Sequence, residues 1–208
     1  MVQTRTLIAT FCVLGVTAAL CGEAVAVEKK LIAVGWDMPN AERLRDGYEV
    51  MDQTPFRGTS LRFTGRKGTP FLDFAHSREE WKEEDIAQII EDFRAAEPER
   101  MTELFLDIKA TPGDIDWFDD AGWAIVVEHW RTAARVAKEG GLAGLLFDPE
   151  SYDTAQFGYS EQPQRDEHTF EEYDAKARQR GAEVMAAVAG EYPDITIFSL
   201  FMLSIFNQ

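Results

Sequence analysis

Apolar residues fall along this chain in two alternating rhythms. Short runs at 31–35, 59–64, 103–109, 142–147 and 195–203 are either continuously apolar or alternate residue by residue, the pattern of strands. Between them the apolar positions recur every three or four residues, the pattern of helices with one buried stripe. Leu44, Tyr48 and Met51 mark the first helix, and Ile86, Ile89, Ile90 and Phe93 the second. Trp123, Val126, Val127, Trp130, Ala134 and Ala137 mark the third; Phe170, Tyr173, Ala177, Val184 and Val188 mark the fourth. Pro39-Asn40 opens the first helix, and Ser77 with Glu80 three residues on reads as a capping box for the second. Gly140-Gly141 stops the third helix, while Gly190 and Pro193 stop the fourth.

The order is β-α-β-α-β-α-β-α-β, which implies an α/β domain with parallel strands joined by right-handed crossovers. Two architectures fit. One is a (β/α)8 barrel of the TIM type, apparently incomplete, with five βα strands legible. The other is a five-stranded flavodoxin-like sheet. A full barrel takes ~250 residues, and the final apolar run has no helix after it, so 27–208 reads as the N-terminal part of a barrel forming a single domain. No G-x-G-x-x-G or Walker pattern follows any strand, so nucleotide binding has no support.

Residues 1–26 read as a signal peptide. Arg5 supplies a positive charge, an apolar stretch follows, and Ala24-Val25-Ala26 makes a small-x-small cleavage site. The expected product is exported, periplasmic or secreted. Both cysteines, Cys12 and Cys21, leave with the signal, so disulfides and thiolate chemistry are excluded from the rest. The net charge of −16 is unchanged by losing Arg5 and Glu23 together. Such a charge repels phosphate backbones and anionic membranes, which excludes nucleic acid and membrane surfaces as partners. It leaves neutral ligands such as carbohydrate unaffected, and it does not fix the oligomeric state.

The candidate chemistry gathers where the fourth apolar run ends, at Asp148-Pro149-Glu150. Residues two apart on a strand face the same side, so both carboxylates can enter one pocket. Pro149 lacks an N–H and holds Asp148 extended. Close carboxylates repel as anions, so one tends to keep a proton. A protonated acid beside an ionised one is equipment for cleaving a glycosidic bond. The competing role is structural, with Asp148 capping the next turn and Glu150 solvated.

This stretch resembles the signature of the family 18 glycoside hydrolases, the chitinases and their relatives, D-G-x-D-x-D-x-E at the end of barrel strand four. Gly144, Asp148 and Glu150 match its glycine, last aspartate and glutamate, while Ala143 and Leu146 stand at the other acidic positions. The resemblance implies that Glu150 protonates the leaving oxygen and that Asp148 orients the substrate.

Other strand ends offer substrate-binding candidates. Trp36 and Asp37 follow the first strand, as a stacking ring with a hydroxyl acceptor or as a core ring with a helix cap. Arg62, on the second, suits a carboxylate-bearing sugar or an internal ion pair. Asp107 and Lys109 share one face of the third strand, where they neutralise each other or line the site; Asp107 would hold Lys109 protonated, against imine chemistry. Trp117 and Tyr152 are rings suited to sugar faces. Phe118 and Phe157 are expected to pack loops, and Trp123 and Trp130 to lie in the core. His76, His129 and His168 form no spaced metal motif, no cofactor or metal is expected, and His129 beside Glu128 is expected in solvent.

Overall fold

The computed structural model describes residues 29–150 and 156–201. Within them the elements run β1 (Ile32–Ala33), α1 (Ala41–Met51), β2 (Gly58–Leu61), β3 (Phe74–His76), α2 (Glu83–Ala95), β4 (Glu103–Pro112), α3 (Asp120–Glu139), β5 (Gly144–Asp148), α4 (Phe170–Glu191) and β6 (Thr196–Ser199). The strands form one sheet in the order β1-β2-β4-β5-β6, with every pairing parallel. The expected alternation and parallel sheet are therefore present. The signal segment 1–26, Tyr152 and the last part of the fifth apolar run lie outside the described residues.

The short β3 is an element the apolar pattern missed. β2 accompanies β4 only from Gly58 opposite Glu103 to Leu61 opposite Leu106. The chain then leaves the sheet and returns as β3, which pairs with the second half of β4 from Phe74 opposite Lys109 to His76 opposite Pro112. With this second neighbour, β4 runs to Pro112 rather than ending at Lys109.

Helix ends follow local hydrogen bonding. Asn40 caps α1, its Oδ1 accepting from the Arg43 N–H at 2.9 Å. Asp119 does the same for α3 through Gly122, at 3.0 Å. α3 closes in a Schellman motif: Leu142 N–H donates to Ala137 O and Gly141 N–H to Lys138 O, with Gly141 at φ +71°. The capping box expected at Ser77 is not used. Ser77 Oγ donates to Phe74 O and accepts from Glu79 N–H, closing a turn after β3, and α2 begins only at Glu83. Glu83, Glu84 and Asp85 stand in its first turn, where carboxylates favour the positive end of the helix dipole. A reciprocal capping box does head α4, between Thr169 and Glu172.

Alternation divides the sheet into two faces. Leu61, Leu106, Leu145 and Ile197 are register partners across four strands, and all join the core with Ile89, Phe93, Val126 and Ala133 from the helices. The opposite face carries Ser60, Phe105, Asp107, Lys109, Leu146, Asp148 and Phe198, with Phe105 and Phe198 in edge contact at 6.0 Å. Gly144 lets β5 and β6 approach, because a Cβ there would fall on the Thr196 carbonyl.

Candidate functional site at the strand ends

Parallel register brings the candidates from β4 and β5 together. Asp107 lies opposite Leu146, and Lys109 opposite Asp148. On the other side of β4, Asp73 just precedes β3 and reaches the same lysine. Lys109 Nζ stands 2.6 Å from Asp73 Oδ2, as a hydrogen bond, and 2.7 Å from Asp107 Oδ2. The second contact is an ion pair at close range. Asp73 Oδ1 and Ser60 Oγ are buried without a hydrogen-bonding partner. Arg62, one residue beyond β2, approaches Asp73 Oδ2 at 3.5 Å and donates to the Trp36 carbonyl at 3.4 Å.

Two aspartates, each 1% exposed, therefore share one ammonium. Burial pushes the Asp107 carboxyl above its ordinary value, and Lys109 offsets this only in part. Burial alone would lower Lys109; the attraction of Asp107 and Asp73 outweighs it and holds the amine protonated. That agrees with the expectation that Lys109 is no imine-forming nucleophile. The carboxyl of Asp148 is also raised, chiefly by burial and then by the Glu150 charge, against the Glu150 backbone N–H and Lys109.

Asp148 Oδ1 accepts from the Glu150 N–H at 3.0 Å, so this side chain does cap the turn leaving β5. Glu150 is exposed, and its carbonyl accepts from Thr111 Oγ1 at 3.4 Å. The two acids thus meet at one strand end, one half-buried and one open to solvent.

The remaining candidates are dispersed. Trp36 is 91% exposed. Asp37 pairs with Arg43 at 2.7 Å on the surface, and that hydrogen bond lowers its carboxyl pKa. Trp117 is buried, stacked on Trp123 at 4.7 Å, and its indole N–H donates to Gln156 O at 2.8 Å. Its ring packs a loop and is not offered to a ligand. Phe118 does pack its loop, against His168 at 3.7 Å, and Trp123 and Trp130 are core residues as expected. Phe157 is 54% exposed yet approaches Trp117 and His76.

His129 corrects its expectation. It is buried, its ring nitrogens lie 3.1 Å from Ala75 O and 2.9 Å from Glu79 O, and it stacks on Trp81 at 4.1 Å. Glu128 misled because adjacent helical residues point about 100° apart. Trp81 and His129 help line a cavity of about 730 Å³ between α2 and α3, rimmed by Glu83, Arg131 and Arg135, which none of the strand-end candidates reaches. Among the described residues no three His, Cys, Asp or Glu side chains are disposed to hold a metal ion, and no helix is long and apolar enough to cross a membrane.

Asp73 was missed. Its only trace in the sequence is one acid between Leu72 and Phe74, and no periodicity marks a three-residue strand. Comparison with known proteins adds no identity: no family model matches the chain, and a search of curated proteins finds no match.

Proposed function

We propose that the chain is the first part of a (β/α)8 barrel acting as an exported glycoside hydrolase on a poly- or oligosaccharide. The barrel reading rests on strand order. A flavodoxin-like sheet would set its first strand between two others, in the order 2-1-3-4-5, whereas among the described residues β1 pairs with β2 alone. The reading as a hydrolase is supported by one observation: Asp148, its carboxyl raised by burial and by the charge of Glu150 two residues on, stands at the C-terminal end of a parallel strand, the edge where barrels hold their chemistry.

In this mechanism Glu150, open to solvent, protonates the glycosidic oxygen, and Asp148 orients the substrate. Lys109 is held by Asp73 and Asp107, and burial with the Glu150 charge outweighs its pull on Asp148, whose carboxyl stays raised. A non-catalytic carbohydrate-binding barrel is the second reading, favoured by the 91% exposure of Trp36, a flat ring available for stacking. Glu150→Gln separates the two. Hydrolysis of aryl glycosides is expected to fall ~10²–10⁴-fold with polysaccharide binding retained. An unchanged rate would remove Glu150 from the mechanism, and binding without hydrolysis by the unaltered protein would favour the second reading.

A further inference from the structure

Lys109 stands between two neighbouring strands. β3 and β5 flank β4 on opposite edges, and the register sets Lys109 opposite Phe74 on one side and opposite Asp148 on the other. Neighbouring strands lie about 4.8 Å apart, so a lysine facing an aspartate across that gap ordinarily pairs with it, as opposite charges on adjacent strands do. Here the ammonium goes the other way. Nζ donates to Asp73 Oδ2 at 2.6 Å and stands 2.7 Å from Asp107 Oδ2, and it makes no ion pair with Asp148.

Asp73 is placed for this by its backbone. Its carbonyl accepts from the Lys109 N–H at 2.6 Å and from the Ala75 N–H at 3.1 Å, and the preceding Leu72 N–H donates to Phe63 O at 2.7 Å. The carboxylate is 1% exposed, and Arg62 approaches the same Oδ2 at 3.5 Å. Asp107 lies two residues back along the same strand and face as Lys109, so it can hold the ammonium near β4 but cannot choose an edge for it. Asp73, on the β3 side, can.

We propose that Asp73 is a positioning residue for the strand-end acids: by drawing Lys109 to the β3 edge of β4 it keeps the ammonium out of an ion pair with Asp148, which is left as the partner acid of Glu150. Among the described residues the charged groups near Asp148 are Glu150 on its own turn, Lys109 and Asp107 on β4, and Asp73 with Arg62 beyond them; β6 carries none. Burial and the Glu150 charge raise the Asp148 carboxyl, and Lys109, held where it is, opposes them least. Paired directly, it would reverse the balance, since an opposite charge beside a carboxyl lowers its pKa by about 1–3. The role rests on the hydrolase reading only for its effect on rate.

Asp73→Asn keeps the shape and removes the charge. A crystal structure of this variant is expected to show Lys109 Nζ within about 4 Å of the Asp148 carboxylate, and the Asp148 midpoint, read by carbon-13 NMR, should fall by about one pH unit or more. Asp107→Asn, which leaves Asp73 in place, should keep Nζ on the β3 edge and Asp148 above 3.8, and it tests the role even if Asp73→Asn does not fold. On aryl glycosides, the limb of the pH–rate profile set by Asp148 should move down in Asp73→Asn alone. An unchanged Asp148 midpoint in Asp73→Asn, Nζ remaining beside position 73, or an equal fall in Asp107→Asn would each overturn the role. The last would mean that lost negative charge, not the place of Lys109, governs Asp148. If the midpoint falls and the unaltered protein hydrolyses no glycoside, the positioning role stands and the hydrolase reading fails.

Discussion

Asp92 and Asp107 are hidden to the same degree, 1% exposed, and both touch basic side chains, yet their carboxyls are displaced in opposite directions. At Asp92, on α2, burial would raise the pKa, but Arg66 and Arg45 outweigh it and hold the group below its ordinary value. Arg66 donates twice, at 2.7 and 3.1 Å, and Arg45 and the Gln88 amide add further bonds. Asp107 has Lys109 alone and shares it with Asp73, so burial prevails. The first arrangement satisfies a carboxylate and ties α1, α2 and the loop after β2 together. The second leaves Asp107 a share in one ammonium at a strand end, while Asp73 has Arg62 at 3.5 Å as well. A fold bears such a deficit more readily where a ligand supplies what is missing.

Three substitutions sharpen the contrast. Lys109→Met should cost the most, about 3–5 kcal/mol at pH 7, because it strands Asp107 and leaves Asp73 with Arg62 at 3.5 Å; denaturant unfolding would measure it, and acid should relieve it as Asp107 takes up a proton. Asp92→Asn should cost roughly 2–3 kcal/mol at neutral pH. A depressed pKa stabilises above the unfolded value of 3.8 and is lost as pH falls, so wild type and this variant should converge in acid. Asp107→Asn should change stability least, by less than about 1 kcal/mol. A raised carboxyl favours the folded state below pH 3.8 and loses that contribution as pH rises, so amidation removes a burden at pH 7. If Asp107→Asn proves as costly as Asp92→Asn, the two sites do not differ in kind.

The helices were legible because their apolar stripes are long: Ile86 to Phe93 and Trp123 to Ala137 state their period several times over. Asp148 and Glu150 were legible from local spacing. The neutralisation of Lys109 was only half legible, since its pairing with Asp107 is a matter of alternation along one strand while Asp73 arrives through β3. A three-residue strand has no room to show a period, and a register is a long-range fact. The burial of His129 was hidden for a related reason: it depends on β3, which supplies Ala75 O, and on the chain just after it, which supplies Glu79 O. Trp117 looked like a ligand platform because its partner Gln156 lies far along the chain.

The claim beneath all of this is that the strand ends keep carboxyls short of positive charge while the helix layer does not. Site-resolved carboxyl titration by carbon-13 NMR reads it directly. Asp107 and Asp148 should titrate above 3.8 and Asp92 below it; finding Asp107 at or beneath Asp92 would contradict the account.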